Sequence, residues 1–232
     1  MNASTLAEAP APALTGKAER RARIIAAARA LIGDSGEAGF SMTALAIRAG
    51  VSPATPYNLV GPRTRVLEAI VEQEFDAFRI RMESLDAPPG LGRVVAAAML
   101  VTEHYGAEPA FYRGLYHAMV TAGGEELRRM MGALGQDLWG LMVQAAAAEF
   151  DPLIAPGPFT DHLLQVISST TQGWLAEGWS SARYRAEMRY GVLLALSAAA
   201  APARRPALLA DLSAAQAELM RLKAPGGSLP PR

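Results

Sequence analysis

Residues 41–57 constrain this chain most, because they predict two short helices joined by a tight turn. Ser41 can cap the first helix by accepting hydrogen bonds from the free backbone N–H groups two and three residues further on. Gly50 stands where the chain must turn through a positive φ, which costs a residue without Cβ nothing. Between them, three apolar residues share one helical face: Leu45, Ala46 and Ala49.

The second half of this segment completes the pattern. Val51 is apolar within the turn and can pack between the two helices. Ser52 can cap the second helix, and Pro53 can take its first position, where a missing N–H group has no cost. Together these residues predict a helix-turn-helix, a geometry whose dominant use is to hold one helix against DNA.

The charge distribution is asymmetric although the net charge is zero. Residues 15–65 hold eight basic and three acidic side chains, a net charge of +5, and the remainder holds 14 basic and 19 acidic ones, a net charge of −5. A basic N-terminal module on an acidic body is expected when one end meets phosphate and the other does not. The alternative is that the basic residues only form the solvated face of the first helix.

Composition narrows the class of protein further. The chain has no cysteine, which excludes disulfides, thiolate metal sites and cysteine nucleophiles. Its longest apolar stretches, residues 94–101 and 191–203, fall short of the roughly 20 residues that span a bilayer. Residues 1–13 lack the basic and apolar regions of a secretory signal. We therefore expect a cytoplasmic protein without a membrane span.

The whole chain is predicted to be all-α, because no segment of any length alternates apolar and polar residues. The Ala- and Pro-rich ends, residues 1–16 and 224–232, are predicted to be disordered tails. The predicted helices are 17–32, 42–49, 53–59, 63–85, 93–105, 109–122, 125–149, 159–177, 183–201 and 206–223.

Two of these helices, 159–177 and 183–201, are apolar or small around most of their circumference. A helix that is apolar on all sides must be buried on all sides. One face can pack on the chain's own core and the other on a second copy, which predicts a homodimer with Leu193 and Leu194 at the contact. The alternative is a central pair of core helices in a monomer.

The chain lacks the residue spacings of catalytic and metal sites. His104, His117 and His162 fall on different predicted helices, without a His-x-x-x-His pair. Asp161 precedes His162, but no nucleophile motif accompanies them, and a capped helix start is the expected role. We expect no catalytic residue, no bound metal and no cofactor, and a protein that is not an enzyme.

Large apolar side chains with a few polar groups form a candidate ligand pocket in the C-terminal part. Such a lining suits an apolar or aromatic molecule. The alternative is plain core packing, of which aromatic residues and methionines at helical spacing are also typical. Beside Phe111, the candidate residues are Tyr112, Tyr116, His117, Met119, Trp139, Met142 and Trp174.

The first 67 residues resemble the TetR family of bacterial transcriptional repressors. The C-terminal two thirds resemble it only in helix number and in the apolar eighth and ninth helices. The matching features are the arginine-flanked first helix, Phe40-Ser41, Leu45-Ala46-x-x-Ala49-Gly50-Val51-Ser52, Tyr57 and Arg63-x-x-Val66-Leu67.

This resemblance implies a homodimer that binds a palindromic double-stranded DNA operator. It also implies a DNA-binding domain at 17–65 and a helical domain at 66–223. The helical domain would form the dimer and bind a small-molecule effector that alters the spacing of the two DNA-binding domains. By matching position, Thr43, Tyr57 and Arg63 would contact phosphate. The residues that would face the major groove are Ser52, Ala54, Thr55 and Asn58.

Physical chemistry agrees with these roles, and three residues depart from the family pattern. Asn58 can pair with an adenine edge, since its amide matches the donor and acceptor there. Pro56 removes an N–H group inside the recognition helix, which predicts a kink or a shifted register. Val60 stands where the family usually has an aromatic residue. Arg63 replaces the usual lysine, which keeps the charge but presents a planar guanidinium group.

Two classes of function follow. The first is a ligand-responsive DNA-binding repressor that an apolar or aromatic molecule releases from its operator. The second is an all-helical small-molecule-binding protein or enzyme without DNA binding. The asymmetric charge and the pattern of Gly50, Ser52 and Tyr57 favour the first.

Overall fold

The computed structural model describes residues 16–36, 40–122 and 124–224. The predicted disordered tails lie outside these residues, except Gly16, which begins the first helix, and Ala224, which follows the last. No strand occurs in the described part of the chain, so the all-α prediction is confirmed. The helices are α1 (Gly16–Ser35), α2 (Met42–Ala49), α3 (Ala54–Leu59), α4 (Arg63–Glu83), α5 (Leu91–Ala107), α6 (Pro109–Ala122), α7 (Gly124–Ala145), α8 (Pro156–Glu177), α9 (Ser181–Ala199) and α10 (Arg205–Lys223), with one 3-10 turn (Ala147–Glu149).

Helices α1 to α3 form the head, in which α1 packs across both helices of the motif. The Ser41 hydroxyl accepts from the Ala44 N–H at 3.1 Å and caps α2 as predicted. Gly50 has φ +64°, and the N–H of Val51 donates to the Ala46 carbonyl at 3.0 Å. This bond closes the end of α2 and holds the turn in which the left-handed glycine is required.

The start of α3 differs from the prediction. The helix begins at Ala54, one residue later than expected, and no side chain caps it. The prediction that Ser52 caps α3 is therefore wrong. The Ser52 carbonyl accepts from the Thr55 N–H at 2.9 Å, and this tight turn brings the two hydroxyls together at 2.8 Å.

Pro56 fits into α3 without leaving a carbonyl unpaired. It lies in the first turn, where proline is tolerated. The carbonyl that its missing N–H would have bonded belongs to Ser52 and is already taken by Thr55. The Pro56 carbonyl in turn accepts from Val60 at 2.9 Å and from Gly61 at 3.1 Å, which ends the helix.

Helices α4 to α10 form the body, and α4 leads into it from the head. Three helices in it, α5, α8 and α10, pack against α9. Leu193 is only 1% exposed, whereas the neighbouring Leu194 is 48% exposed. The apolar circumference of α9 is therefore buried largely within the same chain, because α5, α8 and α10 all pack against it. Leu193 belongs to the core of one subunit, and the prediction that it lies at the contact is wrong.

Other helix ends move by a few residues for local reasons. α1 continues through Gly33, since this glycine packs beside Phe111 of α6 rather than ending the helix. α8 begins at Pro156, earlier than expected, because a proline in the first turn sacrifices no helical hydrogen bond. Asp161 is therefore inside α8, not at its start, and bonds to Gln136 of α7.

Candidate functional site

The predicted DNA-contacting residues lie mainly on the solvent side of the head. Tyr57 is 53% exposed, and Pro56 is the one buried residue of α3. The free face of α3 is thus available to a partner. Five of the seven residues are exposed, namely Thr43, Ser52, Ala54, Tyr57 and Asn58, and two are half-buried, namely Thr55 and Arg63.

Three arginines in and next to the head, on α2 and at the start of α4, contact other side chains of the same chain. Arg48 pairs with Asp34 at 2.7 Å, and Arg65 pairs with Glu68 at 2.7 Å. The Arg63 guanidinium lies over the Phe40 ring, 5.2 Å from its centroid. This position holds Arg63 at the junction between α4 and the motif.

Four exposed cations remain on the first turns of α1: Lys17, Arg20, Arg21 and Arg23. None of them has a carboxylate partner among the described residues. The sequence identified this region only as a charged run, since periodicity does not tell which arginines find a partner elsewhere in the fold. These cations are a candidate phosphate-contacting surface that the residue-by-residue match missed.

Arg29 joins the head to the body. Its Nε donates to Glu74 of α4 at 2.8 Å, and its two Nη atoms bond both oxygens of Glu108, each at 2.8 Å. The guanidinium also lies 4.1 Å from the centroid of the Phe111 ring on α6. A bidentate arginine with a second carboxylate fixes both distance and orientation, so α1 is held against the start of α6.

Glu74 is the centre of this network and is only 14% exposed at its side chain. Tyr112 donates its hydroxyl to Glu74 and also contacts Nε2 of His104 at 2.8 Å. Burial alone would raise the pKa of Glu74, but hydrogen bonds from His104, Arg29 and Tyr112 outweigh it and lower the pKa to about 2. Burial and the bonded Glu74 carboxylate raise the pKa of Tyr112, so its hydroxyl stays a donor.

A close helix crossing lies beside the Arg29 network. A Cβ placed on Gly114 of α6 would stand 2.7 Å from the Ile32 carbonyl oxygen and 3.2 Å from the Gly36 Cα. Only a residue without a side chain permits this approach. α1 packs more extensively on α6 than on α4, so the head rests on two helices of the body.

The structure does not gather the predicted ligand residues around one cavity. Trp174 stacks on Tyr184 with centroids 4.7 Å apart, and the Tyr112 hydroxyl is engaged by Glu74 and His104. Of the seven residues, three are buried, namely Tyr112, Trp139 and Trp174, three are half-buried, namely Tyr116, Met119 and Met142, and His117 is exposed.

A cleft of about 510 Å³ opens between α4, α5 and α7, and we call it the α4–α7 cleft. It shares Met142 with the predicted ligand residues. Its other walls carry no motif that a sequence could reveal, because they meet only when three helices are assembled. The lining residues are Phe75, Asp76, Arg79, Met82, Glu83, Pro89, Arg93, Leu134, Asp137, Leu138, Leu141, Met142 and Ala145.

Within residues 16–36, 40–122 and 124–224, no three histidine or acidic side chains are grouped so that they could hold a metal ion. In the same ranges, no helix has the length and apolar character needed to cross a bilayer.

Comparison with solved structures identifies the fold. SmeT, the repressor of the Stenotrophomonas maltophilia multidrug efflux pump SmeDEF, is 18% identical, with a TM-score of 0.63 over 78% of this chain and 91% of SmeT. RolR in complex with resorcinol is 13% identical, with a TM-score of 0.62 over 83% of this chain and 93% of RolR. A TetR transcriptional regulator from Rhodococcus sp. RHA1 is 19% identical, with a TM-score of 0.57 over 77% of this chain and 97% of the regulator.

The fold of this chain is therefore that of the TetR-family transcriptional regulators, an N-terminal helix-turn-helix head on a helical body. No protein-family model and no curated protein sequence matches the chain. The similarity is thus carried by the order and packing of the helices rather than by residue identity.

Proposed function

We propose that this protein is a dimeric, ligand-responsive transcriptional repressor that binds a palindromic operator in the cytoplasm. The observation that carries the proposal is the exposed face of α3, in a head whose α1 also presents four exposed cations that have no carboxylate partner among the described residues. Exposed hydroxyl and cationic groups suit a duplex, since phosphate contacts position the protein and base contacts give specificity. SmeT, which has the same fold, is itself a repressor.

The proposed DNA contacts divide into two groups. Thr43, Tyr57 and Arg63 would contact phosphate, together with the cations at the start of α1. The exposed amide of Asn58 would pair with an adenine edge in the major groove. Further groove contacts would come from Ser52, Ala54 and Thr55.

The proposed dimer would form through the exposed faces of α8 and α9. Leu194 is the large apolar side chain that α9 leaves 48% exposed. Two heads in such a dimer would contact half-sites about 34–36 Å apart, one turn of DNA. The Leu194→Glu variant should be monomeric in light scattering. Ile80→Glu, a matched change at a 59% exposed residue of α4, should leave the dimer intact.

Effector binding would act through α4. This helix starts at Arg63 beside the head, and its C-terminal half supplies Phe75 and Met82 to the α4–α7 cleft. A ligand that shifts α4 would therefore move a proposed DNA contact. RolR, which has this fold, forms a complex with the ligand resorcinol, and this supports a small-molecule effector.

Binding to the DNA that flanks the gene, measured by fluorescence anisotropy over a salt series, tests this function. We expect a steep salt dependence, and Arg20→Ala/Arg21→Ala/Arg23→Ala should lower the slope of log K against log salt by about 2–3. Asn58→Ala should selectively weaken the operator.

The matched control is Arg79→Ala, an exposed arginine of α4 that pairs with Asp76 and Glu83. Its salt slope should equal that of the parent protein. If no duplex binds above a random sequence, the protein is instead the helical small-molecule-binding protein or enzyme of the second class.

A further inference from the structure

The lining of the α4–α7 cleft is mostly apolar. α4 contributes Phe75 and Met82, and α7 contributes a row of aliphatic side chains that includes Leu134, Leu138 and Leu141. Leu141 is 79% exposed in the absence of a partner. A volume of about 510 Å³ falls within the range of pockets that take drug-sized molecules.

Both arginines of the cleft are already engaged. Arg79 donates to Asp76 at 2.9 Å and to Glu83 at 3.4 Å. Arg93 donates to the Met82 carbonyl at 2.9 Å and to the Leu85 carbonyl at 2.8 Å, and it also bonds the Ala87 carbonyl. An anion entering the cleft would have to break one of these sets of bonds, and it would meet three carboxylates.

Asp137 is the carboxylate of the cleft lining that has no such bond to an arginine. It lies on α7, one turn from Leu134 and Leu141, on the lining of the cleft. Within the described part of the chain no cation pairs with it. The three carboxylates and two arginines of the lining give the cleft a formal charge of −1.

We propose that the α4–α7 cleft binds a hydrophobic organic cation, with its apolar groups against the leucines of α7 and its charge beside the carboxylate of Asp137. The inference rests on the proposed function and deepens it, since it assigns the chemical class of the effector. Charge complementarity selects a cation, and the apolar walls select one with bulky apolar substituents rather than a metal ion or a polyamine.

Two probes of nearly the same shape and opposite charge test this. Calorimetry on the full chain should detect binding of tetraphenylphosphonium and little or none of tetraphenylborate. Asp137→Asn should weaken tetraphenylphosphonium binding by roughly five- to tenfold, the effect of one partly exposed charge pair. Asp211→Asn, which removes an exposed carboxylate of α10, should leave the affinity unchanged.

Leu141→Gln tests the apolar wall in the same assay and should also weaken tetraphenylphosphonium binding. Because Leu141 is exposed, this change does not disturb the core. Equal binding of the two probes, binding of neither, or unchanged affinity in Asp137→Asn overturns the inference. Operator binding is measured in parallel with and without tetraphenylphosphonium. Asp137-dependent binding that leaves operator affinity unchanged would retain the cation site and refute its role as effector site.

Discussion

Replacing Arg29 by methionine should loosen the head from the body more than any other single change on the surface of α1. Arg29 makes three bonds of 2.8 Å, one to Glu74 and two to Glu108. Methionine keeps an apolar stem, so the change removes the charge, the hydrogen bonds and the guanidinium contact with the Phe111 ring, but little of the packed stem.

The magnitude follows from Glu74. A pKa lowered from 4.5 to about 2 corresponds to roughly 3 kcal/mol of stability at neutral pH. Arg29 is one of three groups that bond this carboxylate, but the side chain of Arg29 is 32% exposed, which reduces its share. Loss of the bonds to Glu108 adds to the cost. We expect Arg29→Met to lower the free energy of unfolding by about 2 kcal/mol at pH 7.

The pH dependence has a definite sign. The folded-state pKa of Glu74 lies below its unfolded value, so its stabilisation is present above about pH 4.5 and is lost as the pH falls towards 2. Without Arg29, one of the hydrogen bonds that oppose the effect of burial is lost, so the folded-state pKa of Glu74 rises. The stability difference between parent and variant should therefore be full at pH 7 and shrink below about pH 4.5.

Urea unfolding followed by circular dichroism at about pH 7 and about pH 3.5 measures this difference. Arg79→Met is the matched control, since Arg79 also meets two carboxylates but is 53% exposed, and it should leave the free energy of unfolding nearly unchanged. A destabilisation by Arg29→Met that is the same at both pH values would refute the reasoning.

Three further changes test the head and its junction with the body. Gly114→Ala should cost about 1–3 kcal/mol, because its Cβ would stand 2.7 Å from the Ile32 carbonyl oxygen, whereas Gly132→Ala in open space on α7 should gain about 0.5–1 kcal/mol in thermal unfolding. Equal melting temperatures would contradict the close crossing. Ser41→Ala removes the cap of α2 and should lower the free energy of unfolding in urea by about 1 kcal/mol. An unchanged free energy would mean that the cap does not stabilise the protein. Tyr112→Phe removes a donor to Glu74 and should cost about 1–2 kcal/mol at pH 7, whereas unchanged stability would place the hydroxyl outside the network.

Local signals predicted the head well. Ser41, Gly50 and the apolar face of α2 act on residues a few positions away, so the chain between 41 and 51 encodes its own geometry. The start of α3 was harder to predict because Ser52 had two partners within reach, a backbone N–H group and the Thr55 hydroxyl. Which of these two partners the Ser52 hydroxyl bonds depends on how tight the turn is, and the residue types alone do not determine this.

Long-range contacts account for the remaining differences. Arg29 looked like one more cation of a basic helix, but its partners Glu74 and Glu108 are 45 and 79 residues away. The α4–α7 cleft likewise depends on which faces of three helices meet, so periodicity identified large apolar residues without telling core from cavity. For α9, the apolar circumference was correct evidence of burial, but much of that burial comes from α5, α8 and α10 of the same chain.

The fit between α1 and α6 has a consequence for modularity. Arg29 and Ile32 belong to the head, whereas Glu108 and Gly114, which they meet, belong to the body. In a chimera that fuses this head to a body lacking these two residues, the Arg29 guanidinium would lose the carboxylate of Glu108. The Ile32 carbonyl oxygen would also clash with whatever side chain replaced Gly114. The cassette that can be exchanged as a unit therefore extends beyond the first three helices to the matching face of α6, and recombination between such proteins should preserve that larger block.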